Sequence, residues 1–117
     1  MSNFTITNLP LGGLKLIQRK KISDNRGSFS RLFCMEELHA AGWSKTIKQI
    51  NHTNTSIKGS IRGMHYQLNP YAQDKLVRCA TGEIYDVVID IRKSTNTFGE
   101  WACVNLSEEN HRQLWVP

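Results

Sequence analysis

Turn-forming residues divide the sequence into short segments, and this spacing limits the possible folds more than any other feature. The turn signals are Leu11-Gly12-Gly13, residues 24–27, Asn69-Pro70, Thr81-Gly82 and residues 94–99. Most segments between them have strand character. With one short helical segment and no internal repeat or linker, the pattern predicts an all-β antiparallel sandwich or barrel rather than a parallel sheet with helices.

The strongest strand pattern covers residues 83–91. Tyr85, Val87 and Ile89 alternate there with Asp86 and Asp90, which predicts a half-buried strand with its apolar face inward. Further strands are predicted at residues 14–22, 28–33, 47–51, 61–67, 75–80, 101–106 and 113–116. Only residues 35–41, which Gly42 stops, are predicted to be helical.

Length and composition indicate one ordinary globular domain over residues 1–117, with 39% apolar and 21% charged residues. No apolar run approaches the ~20 residues that cross a bilayer, and the amino terminus does not resemble a signal peptide. We therefore expect a cytoplasmic protein without membrane contact. Cys34, Cys79 and Cys103 lack C-x-x-C spacing and are predicted to be reduced, mostly buried thiols.

A formal net charge of +5 favours an anionic partner. The basic residues form no long block, and no recognised nucleic-acid-binding signature is present, so a nucleic acid is the least favoured partner. Several basic residues stand singly within strand-like segments. This distribution indicates a pocket for a small anion such as a phosphorylated metabolite.

The most informative segment runs from Gly59 to Gln67 and is followed by Lys75. The His65 imidazole can remove a proton next to a ketone, the Lys75 ammonium can hold the resulting enolate, and the Arg62 guanidinium can clamp a diphosphate. In a regular strand Arg62 and His65 face opposite sides, so both reach one site only with an irregularity near Gly63. The alternative is a structural histidine beside solvated cations.

Seven motifs occur in order along the chain: Asp24-x-Arg26-Gly27-x-Phe29, Gln49-x-Asn51, Arg62-Gly63-x-His65-x-Gln67, Lys75-Leu76-Val77-Arg78, Gly82-Glu83-x-x-Asp86-Val87, Asp90-x-Arg92 and Thr97-Phe98-Gly99. Together they resemble the dTDP-4-dehydrorhamnose 3,5-epimerase family from about Gly13 to Pro117. The resemblance implies a cupin-type jelly roll, usually a homodimer whose amino-terminal strands complete the partner's pocket. It also implies a dTDP-4-keto-6-deoxy sugar substrate and no cofactor.

The resemblance implies roles for individual residues. His65 matches the general base and Lys75 the residue that steadies the enolate. The positions that contact the nucleotide sugar are Arg26, Gln49, Asn51 and Arg62, while Arg31 stands where some relatives have an acidic contact residue. The family continues beyond Pro117 with a tyrosine acid and the carboxylate partner of the histidine, so the sequence is expected to be a carboxy-terminally truncated domain. Tyr66, Tyr71 and Tyr85 do not match that acid.

Four alternatives to an epimerase that acts at both C3 and C5 remain open at this point. The enzyme could epimerise only C3 or only C5, or be a related ketoisomerase, and the chain could instead be a non-catalytic sugar-nucleotide-binding cupin. Asp86 and Asp90 are either paired carboxylates or part of an ordinary polar or pocket-lining face. Phe29, Trp43, Trp101 and Trp115 could stack on a nucleobase, but aromatic residues of small β proteins more often belong to the core, and none of the Trp residues is assigned to the site. No metal is expected, because His65-Tyr66-Gln67 lacks the second histidine of the H-x-H pair found in many metal-binding cupins.

Overall fold

The computed structural model describes residues 2–117, in which eight strands and one short helix are present. The elements are β1 Phe4–Asn8, β2 Lys15–Arg19, β3 Lys21–Asp24, β4 Gly27–Ser30, α1 Met35–His39, β5 Lys75–Arg78, β6 Glu83–Ile89, β7 Trp101–Ser107 and β8 Arg112–Val116. All strand pairs are antiparallel. One sheet has four strands in the order β1-β2-β8-β5, and β3-β4 and β6-β7 form two-stranded sheets. The prediction of an antiparallel all-β fold is confirmed.

The four-stranded sheet has a buried cluster on each face. Leu114 of β8 lies opposite Leu16 on one side and Val77 on the other. Because successive residues of a strand alternate between faces, Leu114 and Trp115 point to opposite sides. The first core consists of Leu11, Leu14, Cys79, Val104, Leu106 and Leu114. The second core consists of Phe4, Ile17, Leu38, Trp43 and Trp115.

The β6–β7 hairpin covers the first core with the face that was predicted to be outside. Asp86 pairs with Val104, which is buried in the first core. The alternate residues Tyr85 and Ile89 are 63% and 40% exposed. The predicted orientation of this strand is therefore wrong. The buried face of β7 fixes the hairpin's orientation, since residues opposite one another in the ladder share a face.

The helix closes the second core. Leu38 is fully buried, and the Trp43 ring packs against Trp115 with 5.1 Å between ring centroids. Gly42 has a φ of +105°, a backbone conformation that favours glycine after a helix. The backbone N–H of Trp43 donates to the Leu38 carbonyl, which ends the helix and turns the tryptophan inward.

Residues 44–74, which we call the exposed arm, contain no helix or strand. The strands predicted at residues 47–51 and 61–67 are therefore wrong for this structure. Within residues 2–117 neither segment has a neighbouring strand, and an extended segment without a ladder partner is not a stable strand. Apolar side chains of the arm remain in solvent, including Ile50 at 84% and Ile61 at 92% exposure. Other boundaries also differ, because β1 was not predicted and residues 14–22 divide into β2 and the start of β3.

Candidate active site

Lys75 begins β5 and lies at one end of the four-stranded sheet. Its partner across the ladder is Val116 of β8, which packs against the first core. Because paired residues share a face, Lys75 is on the side of the sheet that the β6–β7 hairpin covers. Lys75 itself is exposed, so its side chain extends from the edge of this core.

Asp86 approaches the same core from β6. It is half-buried, and its Oδ2 atom is enclosed without a hydrogen-bond partner among residues 2–117. Burial raises the pKa of Asp86 above its usual value, while the nearby positive charge of Lys75 acts in the opposite direction. The charges of Asp86 and Lys75 therefore interact at the end of the sheet.

Asp90 is not part of that pair. Its carboxylate is buried, and Arg92, Thr95 and Thr97 all donate to it in the loop between β6 and β7. The structure therefore separates the two aspartates that the sequence offered as paired carboxylates. The sequence alone left open whether Asp86 is a paired carboxylate or part of a polar or pocket-lining face. The alternate apolar residues Ala102, Val104 and Leu106 of β7 were the signal that could have revealed the inward position of Asp86.

Four of the predicted site residues lie on the exposed arm: Gln49, Asn51, Arg62 and His65. Arg62 is held within the arm itself, since its Nε donates to Thr55 Oγ1 at 3.1 Å and its Nη2 donates to the Asn54 carbonyl at 3.2 Å. The imidazole of His65 is also exposed, and within residues 2–117 no hydrogen bond joins it to Arg62 or Lys75. The described part of the chain therefore does not assemble a closed pocket around His65.

The backbone at Gly63 is irregular, but it is not a strand bulge, because residues 61–67 form no strand. Gly63 has a φ of +121°, which an L side chain rarely adopts. A Cβ atom at this position would stand 3.4 Å from Nδ1 of His65. Glycine therefore permits both the backbone conformation and the close approach of the imidazole.

Arg26 lies at the tip of the β3–β4 hairpin and is paired with Asp24. Its Nη2 is 2.6 Å from Asp24 Oδ2, and its backbone N–H donates to Asp24 Oδ1 at 2.9 Å. These bonds lower the pKa of Asp24 and raise the pKa of Arg26. A shallow surface depression is lined here by Asp24, Arg26 and the neighbouring residues Ile22, Gly27, Ser28 and Phe29.

Arg31 joins the segment before the helix to the helix itself. Its Nη1 is 3.3 Å from Glu37 Oε2, and Glu37 Oε1 accepts a hydrogen bond from the backbone N–H of Asn3. The Arg31 guanidinium therefore has a carboxylate partner within this chain. Nothing in the described residues brings Arg31 to Lys75 or His65.

Within residues 2–117, no group of three or more His, Cys, Asp or Glu side chains is arranged to hold a metal ion. The three cysteines are free thiols, with Cys79 buried and Cys34 and Cys103 partly buried. No helix in the described chain has the length and apolar composition needed to span a membrane.

The described strands form antiparallel sheets around two cores, and Lys75 and Asp86 both lie on the side of the first core. The solved structures to which the chain is similar are antiparallel jelly rolls of the cupin type, and this is the class to which the present fold belongs. The family model for dTDP-4-dehydrorhamnose 3,5-epimerase matches residues 8–117. The chain belongs to the dTDP-4-dehydrorhamnose 3,5-epimerase family.

Individual relatives agree with this assignment. The chain is 52% identical over 103 residues to a dTDP-4-dehydrorhamnose 3,5-epimerase of Shigella flexneri, in a match that covers 87% of this chain and 56% of the relative. It is similar in structure to the Bacillus anthracis dTDP-4-dehydrorhamnose 3,5-epimerase crystallised with TDP and PPi, with a TM-score of 0.94 and 37% identity over 97% of this chain and 65% of that one. The chain thus spans about half the length of the curated relatives it matches.

A third similarity is to an enzyme with a narrower activity. ChmJ, a 3'-monoepimerase from Streptomyces bikiniensis crystallised with dTDP-quinovose, has a TM-score of 0.85 and 30% identity. The match covers 92% of this chain and 55% of ChmJ. The same fold is therefore found in epimerases that differ in the number of carbons they invert.

Proposed function

We propose that this chain is part of an epimerase that inverts C3 and C5 of dTDP-4-dehydro-6-deoxy-D-glucose and yields dTDP-4-dehydro-L-rhamnose for deoxysugar biosynthesis. The family match over residues 8–117 carries the proposal, because both His65 and Lys75 lie within it. The position of Lys75 at the edge of the first core, close to the half-buried Asp86, supports it, since a positive charge stabilises an enolate.

In the proposed reaction, the neutral imidazole of His65 removes a proton from a carbon next to the C4 ketone. The electron pair moves onto the ketone oxygen, where the Lys75 ammonium stabilises the enolate. An acid on the opposite face of the sugar then returns a proton to this carbon and inverts it, and His65 releases the proton that it removed to solvent. The cycle takes place at C5 and then at C3. Arg26 and Arg62 are proposed to bind the diphosphate, with Arg31, Gln49 and Asn51 as further contacts to the nucleotide sugar.

Solvent deuterium tests this proposal. The full-length enzyme that contains this chain is incubated in D2O with dTDP-4-keto-6-deoxyglucose, and label at C3 and C5 is measured by NMR and mass spectrometry. We expect label at both carbons and its loss in His65→Ala. His52→Ala is the matched control, because His52 is also an exposed histidine of the arm and should leave the exchange unchanged. Undiminished exchange in His65→Ala would contradict the assignment of the base.

Epimerisation at a single carbon is the second candidate, and the similarity to the 3'-monoepimerase ChmJ favours it. The same experiment separates the two, because a mono-epimerase labels C3 or C5 alone. A non-catalytic sugar-nucleotide-binding protein would bind dTDP in calorimetry and label neither carbon.

We also propose that the active form is a homodimer in the cytoplasm. The β3–β4 hairpin supports the dimer, since Ile22 and Phe29 are 51% and 60% exposed beside Arg26. A second copy that accepts this hairpin would bury both apolar side chains, and the hairpin would bring Arg26 to the site of that second copy. Sedimentation should show a dimer that Phe29→Glu dissociates. A monomer at all concentrations for the unaltered protein would contradict this.

The free thiols support the proposed cytoplasmic location, because they are consistent with a reducing compartment.

A further inference from the structure

Lys75 needs an anchor if its ammonium is to act at a defined point. A lysine side chain has four rotatable carbons and loses about 2 kcal/mol of conformational free energy when it is held in one conformation. Lys75 is exposed, and within residues 2–117 it takes part in no ion pair closer than 4.0 Å. The strand alone therefore fixes its Cα position but not the position of Nζ.

Neighbouring carboxylates are not equivalent as anchors. Asp74 adjoins Lys75 in sequence, but both of its oxygens are occupied. Its Oδ1 is 2.6 Å from Lys45 Nζ, and its Oδ2 accepts a hydrogen bond from Trp115 Nε1 at 3.2 Å. Asp86 differs, because its Oδ2 is enclosed and has no donor within residues 2–117.

The strand register directs Lys75 and Asp86 toward the same region. Lys75 shares a face with Val116, which packs on the first core, and Asp86 shares a face with Val104, which belongs to that core. The two residues approach it from different sheets. A buried carboxylate oxygen without a donor is unfavourable, and an ammonium group supplies up to three donors.

We propose that Asp86 is a positioning residue whose carboxylate, through its enclosed Oδ2, holds the ammonium of Lys75 at the edge of the first core. This inference rests on the proposed function, in which Lys75 stabilises the enolate. Asp86 does not contact the reacting carbons. It acts through Lys75 by restricting where the positive charge can lie.

A first measurement tests the contact without any substrate. The carboxyl carbon of Asp86 is followed by 13C NMR while the protein is titrated with acid. We expect Lys75→Met to raise the pKa of Asp86 further, because the variant removes the cation that opposes the effect of burial. An unchanged titration in Lys75→Met would overturn the proposed contact whether or not the protein is an epimerase.

A second measurement uses Asp86→Asn, which preserves side-chain shape and removes the charge. We expect kcat to fall about tenfold with little change in KM, because the charge matters mainly in the enolate-forming step. Thermal stability should be kept or increased, since no buried charge remains. Glu83→Gln is the matched control, as Glu83 lies on the outer face of the same strand and should change neither quantity. Full activity in Asp86→Asn would overturn the positioning role.

The two measurements also separate this inference from the proposed function. If the unaltered protein incorporates no deuterium, the proposed function fails and the titration alone decides the contact. If exchange is normal but Asp86→Asn retains its rate, only the positioning role fails.

Discussion

Replacement of Asp90 by asparagine tests how the loop between β6 and β7 is held. The Asp90 carboxylate accepts five hydrogen bonds: from the backbone N–H, Nε and Nη2 of Arg92, and from the hydroxyls of Thr95 and Thr97. Arg92 Nη2 also donates to the carbonyl of Gly12, which connects this loop to the turn before β2. Asp90→Asn keeps the size of the side chain but removes its charge and turns an amide N–H toward these donors.

The expected loss of stability follows from burial and charge. Breaking a buried ion pair by removing one partner costs about 3–5 kcal/mol. The Asp90 side chain is 1% exposed, but that of Arg92 is 45% exposed and can regain water, so we expect a value near the lower limit. A loss of about 3 kcal/mol corresponds to a fall of roughly 10 °C in melting temperature for a domain of this size.

Urea unfolding followed by tryptophan fluorescence measures this loss. Asp24→Asn is the matched control, because Asp24 and Arg26 form the same Asp-x-Arg pair with side chains that are 50% and 86% exposed. The control should unfold with the unaltered midpoint, since exposed ion pairs contribute little. Equal midpoints for Asp90→Asn and the unaltered protein would refute the argument that burial makes the first pair important.

The Asp90 pair also predicts an acid limb in the stability curve. Hydrogen bonds from Arg92, opposed in part by burial and aided by those from Thr97 and Thr95, hold the pKa of Asp90 well below its usual value of 3.8. The folded chain therefore binds this proton less readily than the unfolded chain. The contribution is fully present above the unfolded-state pKa and is lost as the pH falls through the folded-state pKa. Asp90→Asn should flatten this limb in urea titrations below pH 4.

Three further outcomes are expected. Leu114→Ala should lower the free energy of unfolding by 2–5 kcal/mol in urea titrations, because Leu114 is fully buried in the first core. Gly63→Ala should shift the 15N signals of the His65 imidazole, because the added Cβ would stand 3.4 Å from Nδ1 at a φ that an L residue rarely adopts, while Gly59→Ala, which also has a positive φ but nothing within 4 Å, should not. Burial and nearby cations lower the pKa of His111 below 6.5, so stability should fall as the pH drops below about 6.5 and level off below the folded-state pKa, and His111→Asn should remove this slope.

Local sequence patterns predicted the position of an element where the element is strongly apolar or where its partner is close in sequence. Residues 35–41 were predicted as a helix because Leu38 and the stop at Gly42 are local signals, and the structure contains α1 at Met35–His39. The β6 strand was predicted in position but not in orientation. Both of its faces carry apolar residues, so its own alternation cannot decide which face is inside. The buried face of its partner β7 decides it.

The exposed arm was not predicted from the sequence. Residues 61–67 have the composition of a strand, but strand formation depends on a neighbour that the sequence of the segment does not specify. The roles of Arg62 and His65 were therefore assigned by family resemblance, and their mutual position depends on contacts outside the arm. The positive φ of Gly63 does not confirm the predicted strand irregularity, because that prediction assumed a strand that the arm does not contain.

The proposed site thus consists of two parts that are positioned by different physical means. Lys75 belongs to β5, and its backbone is fixed by the ladder with β8 and by the first core. His65 lies ten residues earlier on the arm, where its side chain is exposed and its Nδ1 would stand 3.4 Å from a Cβ atom at Gly63. A substitution in the first core should therefore disturb the Lys75–Asp86 pair and leave the conformation at His65 unchanged. Gly63→Ala should have the opposite effect, and a comparison of the Asp86 titration with the His65 signals in both variants would show whether the two parts are independent.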